Sequence, residues 1–172
     1  MKRFKFIDES GINLALTRWY GRAPRGERAA GSTPLNYGQN VTLIGALGSS
    51  GLDALLTIAG ATDGEVFRAY TERILCPTLE PGDIVVMDNL GAHKVSGIRE
   101  AIEARGAQLI YLPPYSPDLS PIERCWSKIK TALRAIGART YRALNRAIKQ
   151  ALATITESDA LAWFAHCGYK VN

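Results

Sequence analysis

Three carboxylates lie at positions where the chain could carry out metal-dependent chemistry. Asp8 follows the apolar run 4–7, Asp88 follows the apolar run 84–87, and Glu123 lies at the start of a predicted helix. A short apolar run that ends at an acid and a turn is typical of a buried strand reaching the carboxyl edge of an α/β sheet. Two neighbouring strands would therefore bring Asp8 and Asp88 together.

Carboxylates that lie close together repel one another unless a cation lies between them. Oxygen ligands without a nearby group of Cys or His side chains favour magnesium or manganese. The three acids therefore predict a divalent-metal site suited to phosphoryl transfer.

Each acid also has a structural interpretation. Ser120, Pro121 and Glu123 have the spacing of a capping box, in which the Glu123 side chain would reach back to the helix start. On spacing alone, capping and metal ligation are equally good interpretations of Glu123. Asp8 and Asp88 could each be an ordinary turn residue.

Five strands and five helices are predicted to position these acids. The strands are expected at 3–8, 41–47, 52–59, 84–88 and 108–112, with a hairpin turn at 48–51. The helices are expected from the capping signature 62–65 to about residue 76, from about 95 to 105, and from Ser120, Thr140 and about Glu157.

The helix after Ser120 has an apolar stripe that should face the sheet, formed by Ile122, Trp126, Ile129 and Leu133. Trp126 is therefore predicted to be a core residue rather than a platform for stacking bases. Glu123 lies at the edge of this stripe, where it can reach the end of the sheet.

Four segments carry a family resemblance: Asp-Glu-Ser-Gly at 8–11, Tyr-Gly-Arg-Ala-Pro-Arg-Gly at 20–26, Asp-Asn-Leu-Gly-Ala-His at 88–93, and Leu-Pro-Pro-Tyr-Ser-Pro-Asp-Leu-Ser-Pro-Ile-Glu at 112–123. Together they resemble the catalytic (DDE) domain of bacterial insertion-sequence transposases of the Tc/mariner superfamily. The resemblance implies an α/β, ribonuclease H-like fold with a mixed five-stranded sheet flanked by helices. It also implies that Asp8, Asp88 and Glu123 form the catalytic triad and bind two Mg²⁺ ions, for which Mn²⁺ can substitute.

The resemblance further implies an endonuclease and strand-transferase that cleaves transposon ends and joins 3′-hydroxyls to target DNA, at TA steps. A two-metal site suits such an in-line displacement. The implied partners are double-stranded DNA and a second copy of the chain, as a homodimer on paired ends.

The composition agrees with a DNA-binding protein. The chain has 172 residues, 47% of them hydrophobic, which predicts one domain over 1–172, and its net charge of +5 favours an anionic partner. Basic residues cluster between 17 and 39 and again after Glu123. The expected DNA contacts are Arg18, Arg22, Arg25, Arg28, Asn89, His93, Arg124, Lys128 and Lys130. For any single basic residue, a solvated helix face is the alternative, and His93 alone could be a solvated loop residue.

The sequence has no recognisable signal peptide or membrane segment, and its three cysteines lack paired spacing. We expect a soluble, cytoplasmic, nucleoid-associated bacterial protein. Because the first predicted strand begins almost at Met1, we also expect an upstream helix-turn-helix half to be absent, for example because a separate frame encodes it.

Two other functional classes remain open at this point. The chain could be a non-catalytic DNA-binding remnant of a transposase. It could also be another ribonuclease H-like nuclease that acts on RNA hybrids or junctions.

Overall fold

A computed structural model describes residues 3–170 and shows a mixed five-stranded sheet in the order β3-β2-β1-β4-β5. The central strand β1 pairs antiparallel with β2 and parallel with β4; β2 pairs antiparallel with β3, and β4 pairs parallel with β5. The strands are β1 Arg3–Ile12, β2 Val41–Gly48, β3 Gly51–Ala59, β4 Asp83–Met87 and β5 Gln108–Tyr111. The expected domain of 1–172 includes residues 1, 2, 171 and 172, which lie outside the described residues.

Five α-helices cover the two faces of the sheet. They are α1 Gly64–Tyr70, α2 Ile98–Glu103, α3 Pro121–Ile136, α4 Tyr141–Leu152 and α5 Glu157–His166. α1 continues into a π-helical turn, Thr71–Leu75, and a 3₁₀ turn, Cys76–Thr78. Two further 3₁₀ turns, Gly91–Lys94 and Pro117–Leu119, lie beside the ends of β4 and β5.

Side-chain alternation along β1 divides the core into two layers. Phe6 packs with residues of α3, α4 and α5, whereas Ile7 packs with residues of α1 and α2 on the other face. Every residue of β2 and β4 is buried, as expected for strands covered on both faces. Asp8, two residues after Phe6, therefore points towards the face that α3 covers.

All five predicted strands are present, but Asp8 lies inside β1 rather than at its end. β1 pairs with β4 only as far as Ile7 and Met87, whereas it pairs with β2 as far as Ile12 and Val41. The antiparallel partner therefore prolongs β1 beyond the point where the parallel strand stops. Continued by one residue, the β1–β4 register places Asp8 beside Asp88.

Two helix starts differ from the prediction. Asp63, rather than Thr62, caps α1, since its side chain accepts a hydrogen bond of 2.9 Å from the backbone N–H of Val66. The helix expected over 95–105 is shorter, because its regular part begins after Gly97, whose φ of 94° is in the left-handed region that favours glycine.

The capping-box interpretation of Glu123 is wrong. Ser120 is the N-cap of α3, but its hydroxyl makes no capping hydrogen bond. Among the described residues, the Glu123 carboxylate has no hydrogen-bond or ion-pair partner, and it is exposed. The apolar stripe of α3 is confirmed, because Ile122, Trp126, Ile129 and Leu133 are all buried.

In the described part of the chain, no helix is long and apolar enough to cross a membrane. The three cysteines, Cys76, Cys125 and Cys167, are free, as expected from their spacing.

Candidate active site

The three acids line one open cavity of about 390 Å³ at the carboxyl ends of the parallel strands. Asp8 reaches it from β1, Asp88 from the first position after β4, and Glu123 from the first turn of α3. The 112–117 segment forms another wall of the same cavity. Three elements that are distant in sequence therefore present carboxylates to one space.

Asp8 lies in an environment that disfavours its charged form. Burial is the main cause that raises the pKa of Asp8 to about 7; the negative charges of Glu123 and Asp88 act in the same direction, whereas a backbone hydrogen bond from Glu9 opposes them. Mutual repulsion of this kind is relieved by a cation held between the acids.

The three carboxylates share one cavity, but they are not arranged around one common point. Among residues 3–170, no group of three or more His, Cys, Asp or Glu side chains is arranged as a compact metal-ligand cluster. The donor set is nevertheless suited to a hard cation, because all three side chains offer carboxylate oxygens to one cavity. The type of ligand atom that these residues offer therefore suits Mg²⁺ or Mn²⁺.

Trp126 reaches the site from the core. It is only 2% exposed, as predicted for a core residue, yet its indole N–H donates a hydrogen bond of 3.0 Å to Oδ2 of Asp8. The sequence analysis missed this contact. A buried tryptophan needs an acceptor for its N–H, and Trp126 lies one turn after Glu123, so those two facts could have indicated it.

His93 is buried beneath the site rather than solvated, which contradicts one interpretation of its sequence position. It is 1% exposed, and its ring lies against Phe67 with ring centroids 4.2 Å apart. Its Nδ1 lies 2.5 Å from Oδ1 of Asp88, and its Nε2 lies 3.9 Å from Oε1 of Glu9. Direct contact between His93 and DNA, the other expectation, is incompatible with this burial.

The charge state of His93 follows from these neighbours. Burial by itself lowers the pKa of His93, but the nearby carboxylates of Glu9 and Asp88 outweigh burial, so that the pKa of His93 is raised. Glu9 approaches His93 and reaches the site indirectly.

The rim of the cavity carries exposed apolar side chains. Tyr115 is fully exposed and Leu90 is 56% exposed, and both line the cavity mouth. Tyr115 adopts a φ of 57°, a left-handed conformation that is strained for a residue other than glycine. Ser116 also lines the cavity, beside the stiff pair Pro113 and Pro114.

The sequence profile of the family described as DDE superfamily endonuclease matches residues 3–145. The chain belongs to this family. Among curated relatives, the transposase of transposable element Tcb2 from Caenorhabditis briggsae is 30% identical over 144 residues, which cover 77% of this chain and 52% of the relative. The Tcb1 transposase of the same organism is 28% identical over 142 residues, 76% of this chain and 52% of the relative. The chain thus spans about half the length of the curated relatives it matches.

Solved structures confirm the expected fold of this DDE endonuclease chain. The Mos1 transposase paired-end complex with left transposon end superposes with a TM-score of 0.75 at 15% identity, over 95% of this chain and 52% of that one. The catalytic domain of Mos1 mariner transposase superposes with a TM-score of 0.64 at 14% identity, over 98% of this chain and 84% of that one. The fold is ribonuclease H-like. The curated relatives named above are nematode proteins, so the bacterial origin stays a prediction.

Several of the expected DNA contacts have structural partners instead. The Lys128 ammonium contacts Oδ2 of Asp159 at 2.6 Å and the carbonyl of Thr154 at 2.9 Å. The Arg124 guanidinium contacts the His166 ring. In the DDE endonuclease chain these two side chains therefore join α3 to α5, whereas Lys130 has no ion-pair partner among the described residues.

The segment between β1 and β2 presents its arginines to solvent. Arg18, Arg22, Arg25 and Arg28 are all exposed, and within residues 3–170 only Arg18 of these four makes a side-chain hydrogen bond, at 3.4 Å to the carbonyl of Ala135. Arg139, which the sequence analysis did not single out for a role, anchors the start of this segment. Its Nη1 donates to the carbonyls of Leu14 and Leu16, each at 2.9 Å. Asn89 lines the cavity itself.

Proposed function

We propose that this chain is the catalytic part of a Tc1/mariner-type transposase, which cleaves DNA at transposon ends and joins the freed 3′-hydroxyl to target DNA. The observation that carries the proposal is the meeting of Asp8, Asp88 and Glu123 in one open cavity of a ribonuclease H-like fold. The nematode relatives, which are transposases by name, support the same reaction.

Asp8, Asp88 and Glu123 would hold the metal, as two Mg²⁺ ions or two Mn²⁺ ions. Solved Mos1 structures include paired-end complexes with Mn and with Mg, which supports divalent-metal use here. Bound between these oxygens, the metal would supply activation of the attacking water or 3′-hydroxyl and stabilisation of the leaving oxygen. The pKa of Asp8, raised to about 7 by burial and by its acidic neighbours, supports a site that gains from added positive charge.

The protein's own side chains orient the acids and admit the DNA. His93 contacts Asp88 from beneath and keeps that carboxylate at the end of β4. The proline-stiffened segment over 113–117 and the exposed Tyr115 shape one side of the entrance. These groups need not titrate or react; their contribution is geometry.

DNA would approach along the exposed basic side chains. We assign phosphate contacts to Arg22, Arg25 and Arg28, which have no protein partner among the described residues, and to Lys130 on α3. Asn89 would contact DNA inside the cavity. Arg124 and Lys128 are engaged with α5 and contribute less to this surface.

Assembly and target choice belong to the same proposal. Mos1 transposase forms paired-end complexes with its transposon ends, which supports a homodimer that synapses two ends here. Integration at TA steps is the expected target preference. A cytoplasmic, nucleoid-associated location would follow if the chain is bacterial.

Nicking of supercoiled plasmid in Mg²⁺ or Mn²⁺ tests the proposal, with Asp88→Asn as the matched inactive variant. We expect nicking by the unmutated chain only, and none after EDTA treatment. Equal nicking by Asp88→Asn would refute the assignment of the triad. A folded chain that binds duplex DNA without metal-dependent nicking would instead be a DNA-binding remnant, and preference for an RNA/DNA hybrid would indicate another ribonuclease H-like nuclease.

A further inference from the structure

Trp126 combines a core position with a polar contact that packing alone does not require. Its ring packs among the buried residues of α3, α4, α5 and β1, and only 2% of the residue is exposed. Its single polar atom is Nε1, which lies 3.0 Å from Oδ2 of Asp8. A phenylalanine or leucine could occupy such a core position without bringing any polar atom into it. The indole N–H therefore adds a specific contact to the acid.

The neighbouring strand leaves room for this ring. Gly45 of β2 lies directly opposite Asp8 in the β1–β2 register. A Cβ placed on Gly45 would lie 3.2 Å from Cη2 of Trp126 and 2.9 Å from Cδ2 of Leu55. The absence of a side chain at this one position lets the indole lie beside the strand pair and reach the carboxylate.

The same turn of α3 carries a second acid of the site. Glu123 and Trp126 are three residues apart, a spacing at which side chains of an α-helix are neighbours. Glu123 lines the cavity, while Trp126 contacts the acid that enters the cavity from β1. One helical turn therefore places Glu123 and orients Asp8 at the same time.

We propose that Trp126 is a positioning residue for the metal site: its N–H holds Oδ2 of Asp8 and leaves Oδ1 as the oxygen that binds the metal. The inference rests on the proposed function, since it assumes that Asp8 is a metal ligand. It adds a residue outside the triad that sets metal affinity without touching metal or DNA. Groups that orient a metal ligand typically change metal affinity by about 10–100-fold when removed.

Nuclear magnetic resonance of the unmutated chain gives the first test. The chain has three tryptophans, Trp19, Trp126 and Trp163, so its indole N–H region is simple, and Trp126→Phe assigns the signal of interest. We expect Mg²⁺ to shift the Trp126 indole N–H signal, because the carboxylate that accepts this hydrogen bond would gain a metal ion on its other oxygen. The signals of Trp19 and Trp163 should stay within the line width.

Metal affinity of substituted chains gives the second test, measured from free Mn²⁺ by electron paramagnetic resonance. Trp126→Phe keeps an aromatic ring in the core but removes the N–H, and we expect it to weaken Mn²⁺ binding by about 10–100-fold. Trp163→Phe is the matched control, since Trp163 packs against the same core from α5 and is partly buried. It should bind Mn²⁺ as the unmutated chain does. Circular dichroism confirms that each variant is folded at the temperature of measurement.

The outcomes separate the positioning role from the proposed function. Mn²⁺ binding by the unmutated chain, lost in Asp8→Asn but unchanged in Trp126→Phe, would overturn the positioning role and leave the metal site standing. No Mn²⁺ binding by the unmutated chain would overturn the metal site and, with it, this inference. Should Trp126→Phe fail to fold, Trp19→Phe and Trp163→Phe assign the Trp126 signal by elimination, and an Mg²⁺-insensitive Trp126 signal in the unmutated chain would overturn the inference by itself.

Discussion

The ion pair between Lys128 and Asp159 allows a test of whether Lys128 stabilises the fold or binds DNA. Lys128 was expected to contact DNA, yet its ammonium lies 2.6 Å from Asp159 and 2.9 Å from the carbonyl of Thr154. Oδ2 of Asp159 also accepts from the N–H and hydroxyl of Thr156 at the N-terminus of α5. We predict that Lys128→Met destabilises the fold and leaves DNA affinity unchanged.

The magnitude follows from the exposure of the pair. A hydrogen bond to a charged group contributes about 1.5–3 kcal/mol when it is well protected. The two side chains are 37% and 25% exposed, which moves the pair towards the range of about 0.2–1 kcal/mol measured for solvent-exposed ion pairs. We therefore expect a loss of about 1 kcal/mol, or about 0.5 M in the urea midpoint for a chain of this size.

The pH dependence has a definite sign. Lys128, together with Thr156, holds the pKa of Asp159 at about 2, below its ordinary value of 3.8. A lowered carboxyl pKa stabilises the folded state at pH values above the ordinary value, and this contribution is lost as the pH falls through about 2. The difference in unfolding free energy between the unmutated chain and Lys128→Met should therefore be constant above about pH 4 and shrink below it.

Urea unfolding and fluorescence anisotropy on duplex DNA at several salt concentrations provide the assay, with Lys130→Met as the matched variant on the same helix. We expect Lys130→Met to reduce the salt slope of binding by about one and Lys128→Met to leave the slope unchanged. An unchanged urea midpoint together with a reduced salt slope for Lys128→Met would refute the structural role.

Further changes test the site and its surroundings. His93→Ala should reduce metal-dependent nicking at least about tenfold, because Asp88 loses the group that orients it; nicking at the unmutated rate would contradict that role. Tyr115→Gly should raise the free energy of unfolding by about 1 kcal/mol in urea, because it relieves the strain of a positive φ; a loss of stability would show that the tyrosine side chain matters more. Gly45→Ala should cost about 1–3 kcal/mol by calorimetry, because its Cβ crowds Leu55 and Trp126; an unchanged melting temperature would show that both side chains move aside freely. Adding Mg²⁺ should raise the melting temperature of the unmutated chain but not that of Asp88→Asn, because only the native state offers the complete set of acids.

The strands could be predicted from sequence because each is an apolar run of the right length, bounded by turn residues. What the sequence could not show is where a strand ends when its two neighbours differ in length. Asp8 was expected at the end of β1, but pairing with β2 continues to Ile12. Only the parallel pairing with β4 stops at Ile7, and that decides which residues reach the cavity.

Contacts between distant elements explain the other differences. His93 is buried because Phe67 of α1 packs against its ring, and nothing near position 93 indicates that partner. Lys128 is neutralised by Asp159 on another helix. For Glu123 the local pattern was misleading, because the spacing of a capping box is present but the capping hydrogen bond does not form. Local sequence patterns thus predicted the positions of the strands and helices well. They were poorer at predicting which side chains have a partner from a distant part of the chain.

The helix α3 explains why the site depends on packing far from the cavity. Its first turn carries Glu123 and Trp126. The position of this turn therefore determines where the Glu123 carboxylate lies and, through the hydrogen bond from Trp126, how the Asp8 carboxylate is oriented. Its outer face carries Lys128, which ties it to α5. A shift of α3 by a few tenths of an ångström would therefore move the side chains of Glu123 and Asp8 together relative to Asp88. Asp88 is held separately, by His93 on the opposite face of the sheet. Metal affinity should accordingly respond to substitutions that break the Lys128–Asp159 ion pair, even though neither of these two residues lines the cavity.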